Sequence, residues 1–427
     1  MKIKKILSKE WDDLVKTRGV DLEASSREYG AQERVRGIKT ASGLLRMIMI
    51  YAILQSLLST AIWCIGLGIC QISRQALDKR IVGSTKWLRY LLSESLKQFE
   101  TPFGEAPALG IRRWVLRDAS VISRPGSAGT EWRIHLSWQP FRQQPAELTV
   151  SDSHTGEGLE DASLQANDLV IADRAYGIWK TVKVALDACA FFIFRLTWSN
   201  LPLNTPDGKP FDPLAWLETW GKEQLTHEIE VCLCDDPLQR RFRFLAARLP
   251  EEKAKEAQDK VRKKAKAEKR EVNPKTLFAA TFCLLLTNLP LLLWPTALVL
   301  AAYRIRWQIE WTFRRWKDLC LLDHLPAFPS ALAEPVLLAK LILILILQRQ
   351  VALLPWSDWL ASDDSPPPLS PIVKAIFDHL LEVIRPTHLI LQFLDDPSPF
   401  LKLLRSSKRR RPLQLVPAFQ AFLCPPS

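Results

Sequence analysis

The feature that limits the fold most is a short apolar run, Leu169–Ala172, that ends in Asp173. An uninterrupted apolar run of this length is typical of a strand buried on both faces, and such strands occur mainly in sheets covered by helices. Three upstream segments also have the pattern of strands: 112–123, 131–138 and 146–152. We therefore predict an α/β core, with a helix near Leu159–Ala166 before the apolar run.

Residues 1–110 have a helical pattern instead. After a polar, charged opening to about Lys39, two helical segments follow, Ala41–Cys70 and Ser73–Gln98. Several basic residues lie on the second segment: Arg74, Lys79, Arg80, Lys86 and Arg89. Such residues either contact nucleic acid or form the solvated face of a helical bundle, and the pattern leaves both interpretations open.

The stretch after Asp173 is longer than a simple α/β core needs. Three more segments have strand patterns: Phe191–Trp198, His227–Cys234 and Arg241–Ala247. A highly charged run at 251–270 predicts an exposed helix, and Thr276–Leu286 predicts a buried strand or core segment. Further on, 331–354 predicts an aliphatic helix that covers the core.

A stretch without Gly or Pro, Ala301–Leu321, is rich in helix-forming residues and predicts an α-helix. At about 100° per residue, four apolar side chains gather on one packing face: Ile305, Ile309, Phe313 and Trp316. A second face carries a phenol, two cations and one carboxylate: Tyr303, Arg306, Glu310 and Lys317. On an ordinary surface helix these charges would form solvated ion pairs. Long apolar runs flank this helix, however, and cations around one acid in a core favour a site for metal and phosphate.

The spacing Y-x2-R-x3-E-x6-K of this polar face resembles the signature helix of the insertion-sequence-four family of DDE transposases. The tetrapeptide T-N-L-P at 287–290 is similar to the family's approach to that helix, and the tetrapeptide D-R-A-Y at 173–176 matches its D-R-x-Y pattern. The resemblance implies a ribonuclease-H-like catalytic core of α/β class, interrupted by a β-rich insertion domain. It also implies an all-helical N-terminal domain that contacts DNA.

The resemblance assigns roles to parts of the chain and to single residues. Residues 1–110 would form an N-terminal DNA-binding domain, and 111–190 the first part of the core. Residues 191–285 would form the β-rich insertion with its charged helix. The second part of the core, with the catalytic helix, would be 286–360, and 361–427 would be a helical C-terminal region with a basic tail. The implied catalytic residues and metal ligands are Asp118, Asp173 and Glu310. The implied DNA-binding residues are Tyr303, Arg306 and Lys317.

The first acid departs from the family pattern. The family usually has Asp-Gly-Ser or Asp-Gly-Thr, whereas Ala119 follows Asp118 here, a change that could alter the local turn. Asp152 is a competing candidate, but it lies close to Asp173 in sequence and late in the strand order, so we favour Asp118.

In the family an aromatic side chain stacks on a flipped base, and Trp294 and Trp198 are candidates for that role. Core packing is the alternative role for both residues.

The implied chemistry is cleavage of DNA at transposon ends, followed by joining of the 3′-hydroxyl to a new phosphate in target DNA. Both steps are in-line displacements at phosphorus, and two Mg²⁺ ions, with Mn²⁺ as a substitute, would be held by the three carboxylates. The implied partners are DNA, as terminal inverted repeats and target, and a second copy of the chain in a synaptic homodimer. The implied location is the bacterial cytoplasm, at the nucleoid.

Composition agrees with a polyanionic partner, because the formal net charge is +12 and the isoelectric point about 9.3. The eight cysteines are scattered without the spacing of a zinc site, as in a reduced cytosolic protein. Two uncharged runs, Met47–Ser73 and Thr276–Tyr303, are long enough to span a bilayer, although their polar and proline residues suit buried segments better. The alternatives are therefore an inactive DNA-binding relative and, with less support, a membrane protein.

Overall fold

The structure, a computed structural model, describes most of the chain: residues 10–16, 19–32, 37–99, 108–221, 223–327, 329–352 and 369–386. These residues belong to two compact units. One draws on the ranges Met1–Glu94, Leu325–Leu347 and Pro366–Ser427, and the other on Ser95–His324 and Gln348–Ser365. The predicted Pro-rich linker at 363–371 lies largely outside the described residues, and the basic tail at 406–412 lies wholly outside them.

The N-terminal part is helical. Its helices are α1 (Trp11–Val15), α2 (Leu22–Glu28), α3 (Ala41–Leu54), α4 (Leu57–Gly66), α5 (Arg74–Gly83) and α6 (Thr85–Lys97). The segment Ala41–Cys70 is not one helix, because Gln55 adopts a left-handed conformation with φ of 48°. Ser56 then begins α4, where its side chain accepts a hydrogen bond from the amide of Ser59. Similarly, α5 and α6 are separate helices that meet at Ser84.

Two further helices lie later in the chain, α13 (Ala333–Ala352) and α14 (Leu369–Ile384), and α7 to α12 are given below. Arg46 of α3 donates hydrogen bonds to the carbonyls of Val383 and Ile384, at 2.9 and 3.0 Å. A cation at the carboxyl end of a helix stabilises the unpaired carbonyls there. These contacts hold α14 against α3.

One helix in the described part of the chain, Ser330–Ala352, is long and apolar enough to cross a membrane by length and composition, but 83% of its apolar window is buried inside the protein. The uncharged runs that suggested membrane spans are broken into shorter elements. The run Met47–Ser73 contains parts of α3 and α4, and Thr276–Tyr303 contains helix, strand and loop. Burial of the long helix identifies it as a core helix, and the membrane alternative has no further support.

The unit that includes Ser95–His324 contains one ten-stranded sheet. Its strands are β1 (Arg113–Ile122), β2 (Trp132–Gln139), β3 (Gln144–Asp152), β4 (Asp168–Ala172), β5 (Phe191–Arg195), β6 (Leu203–Asn204), β7 (Pro210–Phe211), β8 (Thr226–Leu233), β9 (Arg241–Arg248) and β10 (Phe282–Thr287). The strand order is β3-β2-β1-β4-β5-β10-β9-β8-β6-β7. Strand β2 is antiparallel to its neighbours β1 and β3, whereas β4 runs parallel to both β1 and β5. The predicted α/β class is confirmed.

The strands predicted as an insertion extend the same sheet. β10 lies between β5 and β9 and is antiparallel to both. One face of these strands is packed with aromatic side chains, including Phe192 and Phe194 of β5 and Phe242 and Phe244 of β9. Because these side chains are almost fully buried, the strands after Asp173 share one hydrophobic core with β4.

Six helices accompany the sheet: α7 (Trp179–Asp187), α8 (Pro213–Glu218), α9 (Glu251–Ala267), α10 (Pro274–Ala279), α11 (Thr296–Arg304) and α12 (Trp307–Cys320). The charged helix α9 is exposed, as predicted, with Ala265 as its buried residue. The predicted helix near Leu159–Ala166 is wrong, since this segment is a series of turns. The carboxylate of Asp161 accepts hydrogen bonds from Arg117 and Thr149, and these distant partners hold the backbone in turns.

The predicted helix Ala301–Leu321 is two helices, α11 and α12, joined by a tight turn at Ile305 and Arg306. The amides of Ile305 and Arg306 donate to carbonyls three residues back, each at 3.1 Å, so the helical path tightens without a Gly or Pro. The predicted packing face is confirmed for Ile309, Phe313 and Trp316, which are buried, while Ile305 is half-buried. Trp316 lies edge-on to Trp138 of β2, with ring centroids 6.3 Å apart, and so packs α12 on the sheet.

Candidate active site

Asp118 and Asp173 lie on neighbouring parallel strands. In the register of β1 and β4, Arg117 is opposite Ala172. Asp118 and Asp173 are the next residues along the two chains, and Asp173 directly follows β4, so this register leads to neighbouring positions for the two acids. Neighbouring strands are about 4.8 Å apart, which brings two acids that are 55 residues apart in sequence into one site.

Asp118 lies among other acids. Its pKa is raised to about 6, mainly by burial, and the carboxylates of Glu310 and Glu157 contribute in the same direction. The amide of Ala119, which donates to Asp118 Oδ1 at 2.8 Å, and the charge of Arg306 act in the opposite direction. Ala119 lies within β1, outside the residues with positive φ, so the alanine in place of the family's glycine is accommodated in regular strand.

Asp173 is contacted from two other elements. The hydroxyl of Tyr303, near the end of α11, donates to Asp173 Oδ1 at 3.3 Å. Arg195, the last residue of β5, places Nη1 at 3.8 Å from the same oxygen. Burial and the charge of Asp173 raise the pKa of Tyr303, so this phenol stays protonated and acts as a hydrogen-bond donor.

Arg306 and Glu310 form an ion pair beside the two aspartates. Arg306 Nη2 donates to Glu310 Oε1 at 2.5 Å, with the arginine side chain 4% exposed and the glutamate 37%. The guanidinium also acts electrostatically on Asp118 and Asp173. Its Nε has no hydrogen-bond partner in the described part of the chain. A buried cation therefore lies among the three acids.

Lys317 stands apart from this cluster. It is half-buried on α12, about two turns beyond Glu310, and it forms no hydrogen bond or ion pair within the described residues. The other five predicted site residues interact with one another by hydrogen bonds or by charge.

Comparison with known proteins decides the family. The family described as "Transposase DDE domain" matches residues 143–345, a range that contains Asp173 and Glu310. The transposase for insertion sequence element IS421 of Escherichia coli is 31% identical over 329 residues, which is 75% of this chain and 88% of the relative. InsL proteins assigned as transposases for IS186A and IS186B of Escherichia coli strain K12 are 31% identical over 328 residues, with the same coverage. The chain is a DDE transposase.

The family defines the reaction class of the transposase. It is an enzyme that cleaves DNA and transfers strands, and DDE transposases use divalent metal ions. In the described residues no three His, Cys, Asp or Glu side chains are arranged to hold one ion as they stand, and Glu310 is paired with Arg306. The donor set nevertheless fits a hard cation in kind, since Asp118, Asp173 and Glu310 offer only oxygen ligands.

Sequence reasoning missed two residues near the site of the transposase. Glu157 acts electrostatically on Asp118 and Asp173, and Arg195 contacts Asp173. The only signal for Glu157 was its position between two glycines in a loop. Arg195 ends a buried strand that lies beside the strand leading to Asp173. The strand pattern of the sequence could therefore have indicated it.

The competing candidate Asp152 has a local role in the transposase. It is exposed at the end of β3, where Oδ1 accepts hydrogen bonds from the amides of His154 and Thr155 and from the Thr155 hydroxyl, at 3.0 to 3.1 Å. The hydroxyl and amide of Thr155 are the main cause of its lowered pKa. Asp152 therefore fixes the turn after β3.

The two tryptophans considered for base stacking differ in burial. Trp294 is fully buried and donates its indole N–H to the carbonyl of Leu109 at 3.3 Å. Trp198 is half-buried, and its indole N–H donates to the hydroxyl of Thr276 at 3.4 Å. A ring that is already enclosed by the core cannot stack on a base, so Trp294 has a packing role.

Proposed function

We propose that Asp118, Asp173 and Glu310 are the catalytic, metal-binding acids of this transposase. The observation that carries the proposal is the register of β1 and β4, which aligns the two aspartates. Glu310 lies on a helix that packs on β2 through Trp316, and its charge acts on Asp118. These carboxylates suit two Mg²⁺ ions, and Mn²⁺ as a substitute.

The bound ions would supply electrophilic activation of the phosphate and lower the pKa of the attacking water. The chain's own residues do the rest. The Tyr303 hydroxyl orients the carboxylate of Asp173 through the hydrogen bond at 3.3 Å. Arg306 and Lys317 bind the phosphates that flank the cut, the arginine with its planar fork and the lysine as a point charge. For this role Arg306 must exchange Glu310 for phosphate when DNA enters.

The substrates are the terminal inverted repeats of the element and a target DNA, joined by cut-and-paste transfer. The names of the IS421 and IS186 relatives, which are insertion-sequence transposases, support this assignment. The net charge of +12 favours binding of the polyanion. A homodimer would bring two ends into one synaptic complex, in the cytoplasm at the nucleoid.

The domain roles belong to the same proposal. The order β3-β2-β1-β4, antiparallel and then parallel, supports a ribonuclease-H-like core. Residues 191–285 act as the β-rich insertion with its charged helix, between the first part of the core at 111–190 and the second at 286–360. The helical N-terminal domain, 1–110, binds the ends, and 361–427 is the helical C-terminal region.

Cleavage of DNA that carries the element's own ends tests the assignment. Glu310→Gln should reduce Mg²⁺-dependent cleavage to background and leave end binding intact, because it removes one metal ligand but no DNA contact. Asp318→Asn is the matched control, since Asp318 is an exposed acid on the same helix with a side chain 70% exposed. Equal cleavage by wild type and Glu310→Gln would refute the assignment of Glu310. Loss of end binding in Glu310→Gln would show a structural role instead.

A further inference from the structure

Arg243 of β9 holds both ends of the loop that leads from β10 to α11. Its Nη1 donates to the carbonyl of Leu289 at 3.1 Å and to the carbonyl of Trp294 at 2.7 Å. These carbonyls lie two residues after the end of β10 and two residues before the start of α11. Since 9% of the arginine side chain is exposed, a buried guanidinium fixes the path of the loop.

Glu228 of β8 connects this arginine to the first turn of α11. Arg243 donates from Nε and Nη2 to the two carboxylate oxygens, at 3.2 and 2.5 Å. The same carboxylate accepts a hydrogen bond of 2.6 Å from the hydroxyl of Thr296, the first residue of α11. A two-pronged contact between arginine and carboxylate fixes orientation as well as distance. The start of α11 is therefore attached to the strands predicted as the insertion.

The beginning of the loop is attached to β5 by the first two residues of the T-N-L-P tetrapeptide. The hydroxyl of Thr287 donates to the carbonyl of Phe192 at 2.6 Å, and the amide of Phe192 donates to Asn288 Oδ1 at 2.9 Å. Asn288 Nδ2 also donates to the carbonyl of Ala190 at 3.0 Å. With one end on β5, the direction in which the loop enters α11 depends on Arg243 and Glu228.

The other end of α11 reaches the proposed catalytic acids. Tyr303 is buried there, and its hydroxyl donates to Asp173 Oδ1 at 3.3 Å. The helix has nine residues and is about 13 Å long, so a shift of its first turn moves the phenol as well. A hydroxyl hydrogen bond of this length is already long, and a small displacement breaks it.

Stability alone does not require an ion pair at this place. Buried ion pairs are often matched in stability by apolar residues of similar volume, and their best-attested benefit is a fixed geometry. Arg243 and Glu228 together fix one loop and one helix end through directional bonds. Resting on the proposed function, we propose that Arg243 and Glu228 are positioning residues for DNA cleavage. They set the orientation of α11 and so hold the Tyr303 hydroxyl on Asp173.

Single-turnover cleavage at saturating concentrations of end DNA separates positioning from DNA binding. Arg243→Lys keeps the positive charge but loses the planar fork, and it should cleave about ten-fold more slowly or worse. Its affinity for end DNA in EDTA should stay close to that of the wild type, at a temperature where circular dichroism shows both proteins folded. The matched control is Arg241→Lys, which changes an exposed arginine of the same strand and should cleave as the wild type does.

Thr296→Val provides a second variant that leaves the buried arginine in place. It removes the hydroxyl that donates to Glu228 and keeps a side chain of similar size. Because the first turn of α11 then loses one bond to a charged group, cleavage should slow by about two- to five-fold. End binding in EDTA should again be unchanged.

Combination with Tyr303→Phe shows whether Arg243 acts through the phenol. In the Tyr303→Phe background the hydrogen bond to Asp173 is already absent, so Arg243→Lys should slow cleavage there by no more than about three-fold. Equal slowing by Arg243→Lys in both backgrounds would overturn the inference. A loss of end binding as large as the loss of cleavage would also overturn it, because the role would then be structural.

Wild-type cleavage rates for both Arg243→Lys and Thr296→Val would overturn the inference and leave the proposed function intact, provided that Glu310→Gln abolishes cleavage. If the wild type does not cleave end DNA with Mg²⁺, the proposed function and this inference fail together.

Discussion

The guanidinium of Arg306 donates to the carboxylate of Glu310 over 2.5 Å, so that a buried cation occupies the neighbourhood of all three proposed catalytic acids. Arg306 is stabilised there by Glu310 and by the rings of Tyr303 and Trp307, whose centroids lie 5.7 and 5.6 Å from its guanidinium carbon. The arginine thus compensates part of the acidic charge that a divalent ion would otherwise compensate.

Removing this arginine should increase metal affinity in the absence of DNA. The positive charge of Arg306 repels a bound cation several ångströms away and weakens its binding by about 1 kcal/mol after screening. Arg306→Gln should therefore bind Mn²⁺ about five- to ten-fold more tightly than the wild type. The same variant should cleave DNA more slowly, since it loses the proposed contact with phosphate. Titration with Mn²⁺ measures the affinity, and Arg314→Gln, which changes an exposed arginine of α12, is the control. Equal or weaker Mn²⁺ binding by Arg306→Gln would contradict the prediction.

The titration of Asp118 should make the stability of the metal-free protein depend on pH. Its folded pKa of about 6 lies above the ordinary value of 3.8, so the native state binds the proton more tightly than the unfolded state does. Stability should therefore fall as pH rises from about 4 to 6 and stay reduced above that range. Asp118→Asn should be more stable than the wild type at pH 7.5, by up to about 3 kcal/mol, with the difference vanishing near pH 4. Urea unfolding in EDTA at both pH values measures the stability of the two proteins. If Asp118→Asn differed from the wild type by the same amount at both pH values, titration of Asp118 would be ruled out as the cause.

The buried guanidinium of Arg117 should be important for stability. Arg117→Met removes an ion pair and two hydrogen bonds, and it should lower the free energy of unfolding by about 2–4 kcal/mol. Asp161 remains 34% exposed and can regain water, which keeps the loss below that of a fully buried pair. Chemical denaturation of wild type, Arg117→Met and the double variant with Asp161→Asn provides the measurement. Identical midpoints for the wild type and Arg117→Met would show that the loop between β3 and β4 is held by other contacts.

Trp294 should contribute to stability and not to base recognition. Trp294→Ala should cost about 3–5 kcal/mol, because the ring is fully buried and its cavity cannot refill. Trp294→Phe should lose less stability and retain end cleavage at a temperature where it is folded. Melting curves and cleavage assays on both variants make the comparison. A Trp294→Ala protein that melts like the wild type yet fails to cleave would assign the indole to DNA after all.

The parts of the site that the sequence predicted are those that regular structure fixes. Asp173 ends an apolar run, and a run of that kind has few places other than the centre of a sheet. The polar face of the helix follows from residue spacing alone, so Tyr303, Arg306 and Glu310 were identified together. The alignment of Asp118 with Asp173 is a property of strand register, which a family pattern implied and the pairing of β1 with β4 provides.

The parts that were missed depend on contacts between distant residues. The turns at 159–166 replace a helix because Arg117, 44 residues before Asp161, binds its carboxylate. Glu157 lies in a loop that Arg117 holds through the carbonyl of Gly158, and such a loop has no periodic pattern. The tight turn at Arg306 lacks a Gly or Pro signal and accompanies burial of its side chain beside Glu310.

The position of β10 sets the order in which the site can form during translation. β1 and β4 are synthesised within the first 172 residues and pair with each other, whereas Glu310 follows β10, whose neighbours β5 and β9 must both be in place. Pairings that close such long intervals are late in folding. A polypeptide released early from the ribosome therefore carries the two aspartates without the glutamate. On the proposed assignment of Glu310, incomplete chains lack a catalytic acid and so cannot nick the chromosome of the cell that makes them.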